Sequence, residues 1–82
     1  MIKIHPHAKE HMLERGVEEK EVMDTVLKGE SFPVKFDRNG FRKNFIFNSL
    51  WRGKNFTIKQ VEAITVNENS NIIVITVIAK YF

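Results

Sequence analysis

The hydrophobic residues near the start of the chain recur with the period of an α-helix. Ala8 and Met12 lie one turn apart within the segment from Pro6 to Arg15, which predicts a first helix. Proline suits the first turn of a helix, because its missing N–H would have no intrahelical partner there. Gly16 predicts the end of this helix, since glycine readily adopts the left-handed conformation found at helix C-termini.

A second helix is predicted directly after the first. Val17 and Val22 flank its start in the manner of a hydrophobic staple, and the three glutamates between them favour the positive end of the helix dipole. Lys28 and Gly29 predict its end. The apolar stripe of this helix consists of Val22, Met23, Val26 and Leu27.

From Phe32 onward the apolar residues alternate with polar ones, which predicts β-strands. Asn39-Gly40 is the expected tight turn of a first hairpin, because both residues tolerate a positive φ angle. A slip in the apolar phase predicts a bulge near Lys59-Gln60. The stretch from Ile72 to Ala79 is apolar on both faces, as is typical of a central strand. The predicted strands cover residues 32–37, 41–48, 54–66 and 72–79, with loops at residues 49–53 and 67–71.

These elements predict one α+β domain over residues 1–82, with two N-terminal helices packed on one face of a four-stranded antiparallel sheet. Ile2 and Ile4 alternate with polar neighbours, so a short extra N-terminal strand also fits the pattern. A chain of 82 residues holds one core, and 43% hydrophobic with 28% charged residues is typical of a folded protein. The absence of cysteine excludes disulfides, thiolate catalysis and cysteine-bound zinc.

The protein is predicted to be cytoplasmic, without a membrane partner. The first residues lack the apolar run of a signal peptide. The longest apolar stretch, residues 72–79, is interrupted by Thr76 and is too short to cross a bilayer. A small domain without disulfides fits a reducing compartment.

Positive charge is concentrated in the middle third of the chain. The net charge of the protein is +3, but residues 31–60 carry seven Lys and Arg against Asp37 alone, a balance of +6. This distribution points to a polyanionic partner such as RNA. A solvated sheet edge that lysines protect from aggregation is the alternative interpretation.

The first predicted helix carries candidate chemistry on one side. His7, His11 and Arg15 are spaced four residues apart, so a helix places them in a row. Two helical histidines could ligate zinc, but Ala8 stands where the zincin motif needs glutamate, and no metal site is predicted. The remaining interpretations are an exposed polar face, or a functional face where imidazoles titrate near neutral pH and an arginine binds an anion.

The predicted sheet carries candidate groups for nucleic-acid binding. Guanidinium groups near the Asn39-Gly40 turn could hold phosphates, and aromatic residues between the basic ones could stack on bases. Trp51, in a predicted loop, is the best candidate for an exposed stacking residue, and Tyr81 emerges at the end of the sheet. The candidate binding residues are Lys35, Arg38, Arg42, Lys43, Trp51, Arg52 and Lys80. No glycine-rich phosphate loop, paired-carboxylate site or serine-centred triad appears, so the corresponding hydrolases are not predicted.

Three short motifs resemble the domain of unknown function 4258 family. The opening segment from His7 to Val17 resembles the family signature of His-Ala, Arg-Met and Arg-Gly followed by an aliphatic residue. Lys28-Gly29-Glu30 resembles the end of the family's acidic second helix, and residues 73–77, Ile-Val-Ile-Thr-Val, resemble its closing strand. His11 stands where the family usually has arginine, and it lacks the bidentate fork of that side chain.

The order of elements in this family is similar to that of the RelE and BrnT toxins, which cleave messenger RNA or bind a partner antitoxin. The resemblance implies a RelE-like fold and a toxin-like RNA-binding protein. The activity expected from it is that of a metal-independent endoribonuclease that needs no cofactor and pairs with an antitoxin protein. The implied catalytic residues are His7, His11, Arg15 and Tyr81, with Arg38, Arg42 and Lys80 on the sheet. The alternative is a non-catalytic module of the same fold that binds nucleic acid or protein, in which residues 72–79 are a candidate homodimer surface.

Overall fold

Two helices precede most of the sheet in the chain, as the α+β prediction requires. The computed structural model describes residues 1–82. The elements in chain order are β1 (Ile2–Ile4), α1 (Pro6–Arg15), α2 (Glu19–Lys28), β2 (Glu30–Val34), β3 (Arg38–Trp51), β4 (Lys54–Glu68) and β5 (Asn71–Tyr81). Each helix has ten residues, so neither could span a bilayer.

The strands form one five-stranded sheet in the order β1-β5-β4-β3-β2. The strands β2 to β5 pair antiparallel as a meander, and β1 runs parallel to β5, with Ile2 opposite Ile72. The four predicted strands are therefore present, and the short N-terminal strand is the fifth. The sheet is mixed rather than purely antiparallel, because the added edge strand β1 runs parallel to its neighbour β5.

The ends of α1 follow from its sequence. His5 precedes Pro6, and the Nδ1 atom of His5 accepts a hydrogen bond from the backbone N–H of His7 at 3.1 Å, which caps the helix N-terminus. Gly16 has a φ angle of 68°, the left-handed conformation in which the chain leaves the helix. The backbone N–H of Val17 then donates to the Met12 carbonyl at 2.9 Å.

The predicted staple of α2 is present, but its stripe is narrower than predicted. Val17, Val22 and Val26 are buried against the sheet, and the Glu21 carboxylate accepts the backbone N–H of Glu18 at 2.9 Å, which caps the helix. Leu27 is 70% exposed, so its assignment to the apolar stripe was wrong. Thr25 is buried in its place and donates its hydroxyl to the Glu21 carbonyl.

The core lies between the two helices and one face of the sheet. Apart from Met12 it is built from alanine and valine side chains, so helices and sheet approach closely. The opposite face of the sheet has no covering layer. The buried hydrophobic residues are Ala8, Met12, Val17, Val22 and Val26 from the helical part and Val61, Ala63, Val74 and Val77 from β4 and β5.

The first hairpin turns three residues earlier than predicted. Phe36 and Asp37 have positive φ angles of 64° and 58°, and β2 pairs with β3 from there. Asn39 and Gly40 belong to β3, so their assignment to the turn was wrong. Gly40 instead leaves room for the Phe32 ring, which lies where a Cβ atom would stand.

The second hairpin is also tighter than predicted. Strand β3 continues to Trp51, which pairs with Lys54, and Arg52 and Gly53 form a two-residue turn with positive φ angles of 51° and 83°. The predicted loop at residues 49–53 was therefore wrong for its first three residues.

The predicted bulge near Lys59-Gln60 is absent, because β4 keeps its register with both neighbours there. The irregularities lie elsewhere: two residues of β3, Phe47 and Asn48, oppose one residue of β4, and β5 carries an extra residue at Ile75. The apparent shift in the alternation of apolar and polar residues along β4 arises because Lys59, a charged residue, occupies a core-facing position.

Candidate functional site

The C-terminal end of α1 is held on the sheet by three side-chain donors. The last carbonyls of a helix have no intrahelical partners, so they need donors from elsewhere. Cationic donors are favoured at this end of the helix by its dipole. The donors are Arg52 Nη2 to the Glu14 carbonyl at 2.9 Å, Tyr81 Oη to the Arg15 carbonyl at 2.6 Å and Lys59 Nζ to the Gly16 carbonyl at 2.8 Å. Two predicted site residues, Arg52 and Tyr81, thus have a structural partner each.

Arg15 is placed apart from the two histidines with which it was grouped. Its guanidinium donates to the Val77 carbonyl of β5, which satisfies a backbone acceptor at the sheet. The side chain lines a hollow of about 150 Å³ with Glu14, Trp51, Arg52, Ala79 and Tyr81. Neither His7 nor His11 lines this hollow.

Trp51 is half-buried against other side chains rather than presenting a free ring. It is stacked on Tyr81 with ring centroids 5.0 Å apart and an angle of 15°, and the Arg52 guanidinium lies 5.2 Å from its centroid. A Cβ atom on Gly16 would stand 2.5 Å from the indole, so helix and ring are in direct contact. The prediction that Trp51 lies in a loop is therefore wrong, and its ring is half-buried rather than fully exposed.

The Tyr81 hydroxyl is not poised to lose its proton. Burial raises the pKa of Tyr81 above its usual value, and the nearby Glu21 carboxylate raises it further, against a smaller opposing effect of Arg52. The phenol remains protonated at neutral pH and donates to the Arg15 carbonyl. Tyr81 therefore acts here as a hydrogen-bond donor at the end of α1.

The sequence prediction missed Lys59, which is buried under the helices. Its side chain is 7% exposed, and its ammonium group lies 2.8 Å from the Glu21 carboxylate and 5.3 Å from the centroid of the Phe47 ring. The available signal was its position in β4, two residues before Val61 and four before Ala63, which places it on the core face. The lysine joins α2 to the end of α1.

Replacing Glu21 with alanine is expected to lower the free energy of unfolding by about 3 kcal/mol, because it leaves the buried Lys59 ammonium without its counter-ion. Glu21→Gln retains an acceptor for the Glu18 N–H and separates loss of charge from loss of the cap. Lys20→Ala is the matched control, since the Lys20–Glu18 ion pair is exposed and removing it should cost well under about 1 kcal/mol. Urea unfolding measures all three; equal effects of Glu21→Ala and Lys20→Ala would contradict the assignment.

Several predicted phosphate ligands are already paired with carboxylates. Arg42 lies 3.6 Å from Glu30 and 3.8 Å from Glu62 and sits 4.5 Å from the centroid of Phe32, on the uncovered face of the sheet. Lys80 lies 3.3 Å from the same Glu62. The positive charge of these two residues is thus balanced locally.

Lys43 is paired as well. It donates to Asp24 of α2, and this hydrogen bond is the main reason why the pKa of Asp24 lies below its usual value. Lys35 and Arg38 differ from the other candidates, because both are exposed and have no carboxylate or hydrogen-bond partner. Among the candidate binding residues, the unpaired cations therefore lie in the first hairpin.

Three histidines and Arg38 line one groove. This histidine groove, of about 420 Å³, is formed by His5, His7, His11, Arg38, Ile75 and Thr76. The ring centroids of His5 and His7 are 6.0 Å apart, and those of His7 and His11 are 6.2 Å apart. The structure thus brings together three of the predicted site residues, His7, His11 and Arg38, and separates them from the rest.

One ring nitrogen of His11 is unpaired. Its Nδ1 atom is buried and has no hydrogen-bond partner within the protein, which is unusual for a buried polar atom. His7 is more exposed, with only a distant ion-pair partner in Glu10 at 3.8 Å. His5 was not predicted, and its signal was its position beside Pro6 at the helix N-terminus. No group of three or more His, Cys, Asp or Glu residues has the geometry to hold a metal ion.

Comparison with known proteins gives one match. Residues 4–79 match the family described as "Domain of unknown function (DUF4258)". They include both helices and all of the sheet except Ile2, Lys3, Lys80 and Tyr81. No curated protein and no solved structure matches the chain. Since the match extends over nearly the whole chain, this protein belongs to the DUF4258 family.

Proposed function

We propose that this protein is a toxin-like, RNA-binding protein that cleaves single-stranded RNA in the histidine groove without a metal ion. The observation that carries the proposal is the placement of His7, His11 and Arg38 in one groove. Imidazoles titrate near neutral pH and can take up and release protons, and a guanidinium stabilises the extra charge of a phosphorane. These are the groups that phosphodiester transfer within RNA requires.

The reaction is an attack of a ribose 2′-hydroxyl on the adjacent phosphorus. One imidazole removes the 2′ proton as the new O–P bond forms, and a second, protonated imidazole donates a proton to the departing 5′ oxygen as its bond to phosphorus breaks. The products are a 2′,3′-cyclic phosphate and a free 5′-hydroxyl. His7 and His11 are the proton-transfer pair, because their rings are adjacent on α1 and both line the groove.

The charge distribution supports an RNA ligand. Lys35 and Arg38 lie in the same hairpin region and have no acidic partners, so both are free to contact phosphates, and Arg38 does so from the lining of the groove. The resemblance of the family to RelE and BrnT toxins supports a protein partner that blocks the groove, an antitoxin. Expression in bacteria should then arrest growth, and co-expression of a partner encoded by a neighbouring gene should relieve the arrest.

The direct test is incubation of the purified protein with single-stranded RNA in the presence of EDTA. Cleavage with 2′,3′-cyclic phosphate ends supports the proposal, and a matched oligonucleotide with 2′-deoxyribose should remain intact because the attacking hydroxyl is missing. Salt-dependent RNA binding without cleavage would leave the non-catalytic nucleic-acid module. If the RNA is neither bound nor cleaved, both the ribonuclease and the nucleic-acid-binding module are refuted, and a protein-binding module is the function that remains.

Arg38→Ala is expected to weaken RNA binding about tenfold, since one charge-assisted phosphate contact is lost. Arg38→Lys should recover part of the affinity, because it keeps the charge and loses the fork. Lys54→Ala is the control, because Lys54 is exposed, does not line the groove and has the same charge. Fluorescence anisotropy with labelled RNA measures the three variants; an equal loss in Lys54→Ala would show that only overall charge matters.

A further inference from the structure

One edge of the sheet is only half covered. Strand β2 pairs with β3 from Arg38 to Arg42 and no further, whereas β3 continues to Trp51. Strand β2 is the only neighbour on that side of β3, and no backbone hydrogen bond from a loop or helix reaches residues 44–51 there. The backbone of β3 beyond Arg42 therefore presents unpaired donors and acceptors to solvent.

The register shows which residues present these groups. Ile58 of β4 exchanges both backbone hydrogen bonds with Phe82, so its backbone points toward β5. The next residue, Lys59, points toward β3, where it lies opposite Phe45. Phe45 is thus paired within the sheet, and the backbone N–H and C=O groups of Asn44 and Ile46 point outward.

The other edges of the sheet are protected. Strand β2 carries Pro33 in its middle, and β1 has only three residues. The edge of β5 beyond β1 is capped by the Arg15 guanidinium on the Val77 carbonyl. The segment 43–47 has no such device, because Lys43, which could guard it, is bonded to Asp24. Two of its side chains are exposed, Asn44 and Ile46, and the apolar one, Ile46, is 80% exposed.

We propose that a second copy of this chain pairs antiparallel with this edge, β3 against β3, so that the two five-stranded sheets join into a single sheet of ten strands. The free and regular segment runs from Lys43 to the irregularity that begins at Phe47. The midpoint of this segment is Phe45, and a two-fold axis at Phe45 pairs the whole segment with the same segment of the other copy. Asn44 of each copy then lies opposite Ile46 of the other, and the two pairs exchange four backbone hydrogen bonds.

A second copy fits this edge better than a longer foreign strand. The irregularity at Phe47 and Asn48, where Asn48 has a φ angle of 42°, bends β3 and ends regular pairing after about five residues. The two-fold arrangement needs no more than that length. It also places Lys43 opposite Phe47 rather than opposite a like charge. The inference does not depend on the RNA-binding proposal.

The test is the oligomeric state of the full chain, measured by light scattering and sedimentation over a wide concentration range. The wild type should form a reversible dimer. Ile46→Pro removes an outward N–H without breaking a hydrogen bond inside the sheet, and it should raise the dimer dissociation constant about tenfold or more. Ile46→Lys, which places a charge on the edge, should act in the same direction and decides the matter if the proline variant fails to fold.

Leu13→Lys is the matched control, because Leu13 is 86% exposed on α1, away from this edge, and its replacement should leave the dimer intact. Amide exchange adds a local readout: the amide of Ile46 should become protected as the concentration rises. A wild type that stays monomeric at its highest soluble concentration, or a folded Ile46→Lys variant that dimerises like the wild type, would overturn the proposal.

Discussion

Replacing His11 with asparagine is expected to slow cleavage of RNA by about 10²–10⁴-fold, the usual contribution of a group that transfers a proton in the transition state. The substitution keeps a polar side chain at the half-buried position but removes the imidazole that is proposed to transfer a proton. The effect should fall on kcat rather than on RNA affinity, because His11 is proposed to act on the reacting bonds. Single-turnover cleavage of a defined RNA measures it.

Two comparisons make the result specific. Lys9→Ala, on the same helix and outside the histidine groove, should cleave like the wild type. The pH–rate profile of the wild type should be bell-shaped, since one imidazole must be neutral and the other protonated, and His11→Asn should lose one of its two limbs. Full cleavage by a correctly folded His11→Asn variant would exclude the proposed role of this residue.

Replacing Gly16 with alanine is expected to lower the free energy of unfolding by about 3–4 kcal/mol, the sum of a left-handed backbone penalty and an overpacked contact. Gly16 has a φ angle of 68°, and a Cβ atom there would stand 2.5 Å from the Trp51 ring and 3.0 Å from the Tyr81 hydroxyl. Relief of the clash would move the indole or lift the end of α1. Chemical denaturation measures the loss.

Gly53→Ala is the matched control. Gly53 also has a positive φ angle, 83°, but nothing lies within 4 Å of a Cβ atom built there. Its replacement should cost only the backbone penalty, about 1–2 kcal/mol. The difference between the two variants isolates the contact between Gly16 and Trp51, and equal losses would mean that this contact carries no energetic cost.

The helices could be predicted well because their signals are local. Pro6, Gly16 and Gly29 delimit α1 and α2 as expected, and the staple of Val17 and Val22 is present. Each signal depends on residues within one or two turns of each other, so the sequence contains it completely. Leu27 was misplaced, because the side of a helix that faces the sheet is decided by the sheet.

The turns could be predicted less well, because glycine has more than one structural use. Gly40 lies within β3, where the Phe32 ring of the neighbouring strand needs the space. Phe36 and Asp37 adopt positive φ angles although neither is glycine. Such choices depend on the register between two strands, which short-range patterns do not contain.

The candidate site could be predicted only in part, because local spacing groups some of its residues while the partners of the others lie far away in the chain. His7 and His11 share one side of a helix, and local spacing was enough to group them. Arg15 has the same spacing, yet it bonds to the Val77 carbonyl, 62 residues away in the chain. Likewise, no residue near Arg42, Lys43 or Lys80 in the sequence indicates that each of them forms an ion pair with a carboxylate of another element.

The sequence by itself determined the α+β class, the two helices with their ends, the strand-rich remainder and the presence of a cationic middle third. These follow from periodicity, capping residues and charge, which act over a few neighbouring positions. Only the tertiary structure decided which cations are neutralised and which remain free. An ion pair or a carbonyl contact depends on distances of a few ångströms between residues far apart in the chain, and those distances exist only once the helices lie on the sheet.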